Sequence, residues 1–319
     1  MVEFELIKNY FQKISYNNPG AKKLNDDVFF DKKKSLVASI DTYNEKTHYM
    51  NFKYPNLIIK KVIRSSISDI ISKGCDPKYL LISFTGSKKQ FNKKNIQSIL
   101  KSIKQEEKKY NFFLVGGDTT LSNKSSFTIC TFGYSNKIVK RNNSSKNDDI
   151  YLTGNVGDAS VGLDILKNNL KINKKFKKYF IDKFFKPNLS FGFHRGLLKF
   201  ATSSMDISDG LLIDLKKITG DKNKGFIINY ENIPKSTYFK KLVDQKKITP
   251  NKHLFNGDDY QILFTAKSKN KKNIFKFASK WNQKITLIGN ITSTKADYLK
   301  INTKIKKIVN YQGYIHNFW

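Results

Sequence analysis

The stretch that most constrains this chain is FFLVGGDTT at residues 112–120, where an apolar run meets two glycines and an aspartate. A buried strand is expected from Phe112 to Val115, ending at Gly116 and Gly117, where the backbone reaches angles that other residues avoid. Having no side chains, these glycines let a polyphosphate approach the main-chain N–H groups. Asp118 at the strand mouth then offers a carboxylate to a cation, and Thr119 and Thr120 add hydroxyls. A strand-end turn capped by Asp is the plainer reading of this motif alone. Repetition shifts the balance, because Asp26, Asp27, Asp41, Asp69, Asp118, Asp206, Asp209, Asp258 and Asp259 all stand at ends of apolar runs or on apolar helices. If they converge, such carboxylates cannot all stay ionised without cations, and hard divalent ions take their oxygen ligands from carboxylate, water and phosphate. Asp206 and Asp209, in MDISDG, sit where a helix begins, so its free N–H donors would act beside the metal. Helix capping is the structural alternative.

Between these turns the apolar pattern alternates between strand and helix periods, which predicts an α/β fold. An amphipathic helix is expected over 3–14, a strand over 36–40, a helix over 57–73 closed by Gly74, a strand over 79–84 and a helix over 93–109. In the second half strands are expected near 150–153, 226–230, 260–265 and 285–288, with helices over 211–218 and 271–281. A chain of 319 residues is long for one core, and two domains of roughly 150 residues are the default. The polar run KRNNSSKNDD is the clearest break, giving domains 1–139 and 150–319 with a linker over 140–149.

The formal net charge of +33 invites a nucleic-acid reading. The residue types argue against it: Arg64, Arg141 and Arg195 are the only arginines among 59 basic residues, and the lysines are spread through nearly every segment. Base readers and phosphate clamps rely on the planar fork of Arg. Cys75 and Cys130 form no paired motif and suit a reduced compartment. MVEFELIKNYF carries acids where a signal peptide has basic residues, and no apolar run approaches the ~20 residues of a membrane span. A cytoplasmic protein is expected.

No G-x-x-x-x-G-K-[ST] loop, strand-following G-x-G-x-x-G or kinase H-R-D and D-F-G set is present. Any nucleotide chemistry must therefore grip phosphate through aspartate-held metal. In order, NDDVFF, SIDTYNEKTH, SSISDIISKGCDP, LVGGDTT, YLTGNVGDASVGL, MDISDGLLIDL, NGDDYQILFT and GYIHNF resemble thiamine-monophosphate kinase, of the PurM-like ATP-binding superfamily. The resemblance spans the chain and implies ATP-dependent conversion of thiamine monophosphate to thiamine diphosphate. It also implies an N-terminal α/β domain that dimerises through its sheet beside a second α/β domain. By resemblance, Asp27, Asp41, Asp69, Asp118, Asp206 and Asp209 hold Mg2+ with Ser39 assisting. Gly117, Asp118, Arg141 and Ser208 face ATP, and His48, Asp258 and Tyr314 contact the thiamine phosphate.

Three departures bear on this: Asn25 replaces the family's usual Gly, Asp258 and Gln261 replace its two Glu residues, and Ile40 stands where Thr is common. Against the selenophosphate-forming relatives, no cysteine precedes Cys75, and against the hydrogenase-maturation relatives, the chain ends in Trp319 rather than Cys. A basic nucleic-acid-binding module and a non-catalytic thiamine-phosphate binder are the remaining alternatives. The first predicts binding that collapses with salt and ignores magnesium and ATP.

Overall fold

The computed structural model describes residues 2–220 and 223–317; Phe318 and Trp319 lie outside the described residues. Two mixed sheets carry the fold. The first consists of β1 (Phe29–Asp31), β2 (Leu36–Asn44), β3 (Pro77–Gly86), β4 (Phe113–Leu121) and β5 (Ser126–Tyr134), in the order β1-β2-β5-β3-β4. Neighbours are antiparallel except β3 and β4, which run parallel. The second has β6 (Asp148–Thr153), β7 (Ala201–Asp206), β8 (Gly225–Asn229), β9 (Ile262–Lys267), β10 (Ile285–Thr292), β11 (Tyr298–Ile301) and β12 (Lys304–Lys307), ordered β12-β11-β8-β10-β6-β9-β7.

The chain opens on a short helix, α1 (Glu3–Leu6), followed by one π turn and one 3-10 turn. The single amphipathic helix expected over 3–14 is thus broken up. Phe11 and Ile14 are left exposed, so this segment has no core face to hold it straight.

The central helix α2 (Pro55–Ser72) starts with proline at its first turn, where the missing N–H costs nothing. It is buried on nearly every side, with Ile58, Ile59, Val62, Ile63, Ile67 and Ile70 all fully covered. Next to it lies α3 (Lys93–Tyr110), capped by the Asn92 carboxamide and ended by Asn111 in the left-handed conformation. The Arg64 guanidinium of α2 donates two bonds to Glu106 of α3, at 2.7 and 3.0 Å, and a third to the Pro187 carbonyl. All of this is buried, so the ion pair fixes how the two helices meet.

The second half adds α4 (Asp158–Leu166), α5 (Lys174–Phe185), α6 (Leu197–Phe200), α7 (Leu211–Thr219), α8 (Thr237–Asp244), α9 (Pro250–Leu254) and α10 (Lys271–Lys280). The largest core joins both halves: Tyr43, Ile63, Phe84 and Phe127 pack in one cluster with Phe184, Phe193, Phe264 and Ile274.

Among the described residues, no helix covers the outer face of the first sheet. Ile40, Cys130 and Leu81 are register partners across β2, β5 and β3, and Ile40 is 68% exposed. The edge strand β4 leaves Phe113, Val115 and Leu121 exposed as well.

The expectation that the strand stops at Gly116 and Gly117 is corrected. Pairing with β3 runs on through both glycines to Leu121. A Cβ on Gly117 would lie 1.9 Å from the Ile82 carbonyl oxygen, so the glycine serves close strand approach.

Candidate active site

A cleft of about 1230 Å³ opens between the first sheet and the loops at the ends of β7 and β9. Side chains alternate along β2, which puts Ser39, Asp41 and Tyr43 on the face turned toward α2, while Ile40 points outward. Ser65 and Asp69 lie one turn apart on α2 and share a helix face toward the same space. The segment before β1 contributes Asn25, Asp26 and Asp27, and the end of β7 contributes Asp206, followed by Ser208 and Asp209 at the entrance to α7. Gly210 makes that entrance possible, because its φ is +143° and a Cβ there would lie 2.1 Å from the Phe255 carbonyl oxygen.

Charge is arranged in two zones. In the first, Lys73 is fully buried and bonds Asp26 at 2.9 Å, Asp27 at 2.5 Å and the Ser204 carbonyl at 2.8 Å. Arg141 joins it, bonding Asp27 at 2.8 Å and Asn25 at 2.9 Å. Burial works against the charge on Asp27, but Lys73 and Arg141 hold its carboxyl below the usual carboxylate range. In the second zone the carboxylates lack such partners. Burial pushes Asp41 up to about 6 despite hydrogen bonds from Tyr43 and Ser66. It pushes Asp206 up to about 7, with the charge of Asp27 adding to the effect. Asp69 lies well above the carboxylate range, through burial and then through Asp41 and Asp206. Among the described residues, Asp41 Oδ2 and Asp206 Oδ2 are buried with no hydrogen-bond partner, as is Arg141 Nε.

Asp209 pairs with Lys217 at 2.6 Å, and Lys217 also bonds Asp214 at 2.8 Å. Asp214 in turn accepts from the Asp209 and Gly210 N–H groups, which fixes the start of α7.

At the far end of the cleft stand His48, Asp258, Tyr314 and His316. His48 accepts from the Asn44 N–H through Nδ1 and packs edge-on against Tyr43, and burial lowers its pKa. Tyr314 is tied down by its N–H, which donates to the Asp209 carbonyl.

Asp258 sits at φ +68° and donates its own N–H to the Ser208 carbonyl. Its carboxylate meets Lys61 Nζ at 2.8 Å and the Tyr260 hydroxyl at 3.1 Å.

Of the residues expected at the site, Asp27, Asp41, Asp69, Asp206, Asp209, Arg141, Ser208, His48, Asp258 and Tyr314 line this one cleft. Ser39 is buried behind it, its hydroxyl 3.4 Å from the Ser66 carbonyl. Gly117 and Asp118 are absent from the cleft within the chain, since they lie on the exposed edge strand β4. Gln261 is also elsewhere, bonded to Thr153 and the Asn188 carbonyl. Among the described residues no group of three or more carboxylate, imidazole or thiol side chains forms a ready metal cage. Lys61, Lys73, Lys217, Tyr43, Tyr260 and Asp214 are parts of the site that the sequence did not single out. Lys61 lies within α2 and Lys73 just past its end, but the helix also carries Asn56, Lys60, Arg64 and Asp69, so neither lysine stands out in the sequence.

Two mixed sheets bordering a carboxylate-lined cleft place the chain among the PurM-like folds, and residues 25–135 match the family described as AIR synthase related protein, N-terminal domain. The thiamine-monophosphate kinase of Buchnera aphidicola subsp. Acyrthosiphon pisum is 32% identical, covering 98% of both chains. That of Nitrosopumilus maritimus is 29% identical over 95% of this chain and 94% of its own. The chain therefore belongs to the thiamine-monophosphate kinase family, whose members are phosphotransferases. The solved structure of AaThiL complexed with AMPPCP and TMP shares the fold, with a TM-score of 0.85 at 24% identity over 99% of this chain and 97% of its own.

Proposed function

We propose that this chain transfers the γ-phosphoryl group of ATP to the phosphate of thiamine monophosphate, giving thiamine diphosphate and ADP by direct in-line transfer. The observation that carries this is the pair of buried carboxylate oxygens without partners, on Asp41 and Asp206, in a cleft that also holds an unpartnered Arg141 N–H. Such oxygens are costly to bury alone, and they suit a hard cation that completes its shell with water and phosphate oxygens. Asp27, Asp41, Asp69, Asp206 and Asp209 would hold Mg2+, which when bound supplies neutralisation of the repulsion between two approaching phosphates.

The protein's own groups supply position. Arg141, oriented by Asp27 and Asn25, offers its buried Nε–H to a phosphate oxygen of ATP. Ser208, beside the start of α7, faces the same nucleotide. His48, Asp258 and Tyr314 hold the thiamine phosphate at the other end, so that acceptor and donor meet over the carboxylates.

A homodimer belongs to this reading. The exposed apolar row of Ile40, Cys130 and Leu81 beside β4 is covered by a second copy, and Gly117 and Asp118 then act at a cleft they do not reach within their own chain. The domain division at 140–149 and a cytoplasmic location also belong to it. Both cysteines are free, and among the described residues no helix is long and apolar enough to cross a membrane.

The test is incubation with ATP, magnesium and thiamine monophosphate, resolving the thiamine esters directly. Magnesium-dependent thiamine diphosphate is the expected product. Its absence, with ATP still bound, overturns the substrate assignment.

A further inference from the structure

Lys61 is hard to account for as packing. It sits on α2 with 1% of its surface exposed, and its ammonium lies 3.6 Å from the centre of the Phe184 ring. Its neighbours on the helix have structural partners: Lys60 and Arg64 both reach Glu106 of α3. Among the described residues, Asp258 is the one carboxylate within ion-pair distance of Lys61. A buried ion pair is seldom better for stability than apolar side chains of the same volume in place of both partners. The retention of this pair therefore points to a task at Asp258.

The loop that carries Asp258 is equally unusual. Asp258 and Tyr260 both have positive φ, +68° and +51°, in a conformation that non-glycine residues rarely adopt. Gly257 approaches Ser208 so closely that a Cβ would lie 1.7 Å from its carbonyl oxygen. The N–H groups of Asp258 and Tyr260 donate to the carbonyls of Ser208 and Ile207, locking the loop onto the entrance to α7. The Tyr260 hydroxyl donates to one carboxylate oxygen, Oδ1, and the Lys61 ammonium lies 2.8 Å from that same oxygen in ion-pair contact without hydrogen-bond geometry. That leaves Oδ2 as the acceptor available to the cleft. Backbone strain and a buried cation thus converge on the aim of one carboxylate.

We propose that Lys61 is a positioning residue: reaching from the first half of the chain into the second, it fixes the Asp258 carboxylate so that its outer oxygen receives the thiamine end of the substrate. This rests on the function proposed above. Lys61 is absent from the cleft wall and acts through Asp258.

The experiment is steady-state kinetics of the full-length protein with each substrate varied, for wild type, Lys61→Met, Asp258→Asn and the double variant, with thermal denaturation of each. Losing a fixed acceptor removes binding of one substrate, so Lys61→Met raises KM for thiamine monophosphate by about tenfold or more while KM for ATP stays within about twofold. Any loss of melting temperature in Lys61→Met, which leaves the Asp258 carboxylate uncompensated, is recovered in the double variant, whose KM is no worse than that of Asp258→Asn alone. An unchanged KM for thiamine monophosphate in Lys61→Met, or single effects that multiply in the double variant, overturns the assignment. Lys61→Arg keeps the charge and provides a second folded variant. If Lys61→Met does not fold, partial recovery of KM in Lys61→Arg relative to Lys61→Gln supports the proposal, and equal KM in those two overturns it. A wild-type protein that forms no thiamine diphosphate instead overturns the function itself, an outcome separate from an active wild type with an indifferent Lys61.

Discussion

Asp206 carries the sharpest conflict at the residue scale, being buried, raised to about 7 and left with one oxygen unpartnered. Replacing it with Asn removes a like charge from a crowded group, so the fold should be as stable as wild type or more so. Turnover, which needs the charge, should fall by about a hundredfold or more. Assay and thermal melt of Asp206→Asn check both, and retained turnover would remove Asp206 from the phosphate machinery. His253 sits apart from this chemistry, 2% exposed and hydrogen-bonded to Ser160. Burial lowers its pKa from 6.5 to about 4. Between those values the unfolded chain binds a proton that the native state refuses. Its stabilisation is therefore complete above pH 6.5 and fades as pH falls toward 4. His253→Gln should flatten that dependence by about 2 kcal/mol between pH 7 and 4.5, read from urea denaturation at the two pH values. Equal pH dependence in the two proteins would show that the imidazole titrates normally.

Among the elements, α2 and α3 depend on the buried Arg64–Glu106 pair. Glu106→Gln leaves the guanidinium partly unpaired and should cost about 3 kcal/mol, read from the urea midpoint, whereas joint replacement with Met and Leu should recover much of it. Elements of this kind explain what was legible in the sequence. Helices 57–73 and 93–109 were expected within one or two residues of their observed ends, because a helical apolar period marks them and Gly74 closes the first. The short pieces were not. β1, α8, α9, β11 and β12 run only three to eight residues each, too short for an apolar period to announce them. The site divides the same way. Its aspartates stand out in a chain poor in acids, but Lys61, Lys73 and Lys217 are three lysines among dozens, distinguished only by burial. Nor could a strand continuing through Gly117 be read from a motif that looks like a turn, since the need for glycine comes from the Ile82 carbonyl on the neighbouring strand.

For the whole molecule, the proposed second copy makes a direct prediction. Val115→Lys together with Leu121→Lys puts charge on an exposed apolar edge, at little cost to a lone chain. Sedimentation should shift from dimer to monomer, and thiamine diphosphate formation should fall with it; an active monomer would mean that Asp118 has no part in the reaction. The shared core has a separate consequence. Because Tyr43 and Phe127 pack in one cluster with Phe193 and Phe264, neither sheet can lose its side chains from that cluster without exposing the other's. The two halves should therefore melt in a single cooperative step, with the slowest-exchanging amides of β5 and β9 opening together. Either half expressed alone would present a wide greasy surface and collect as aggregate.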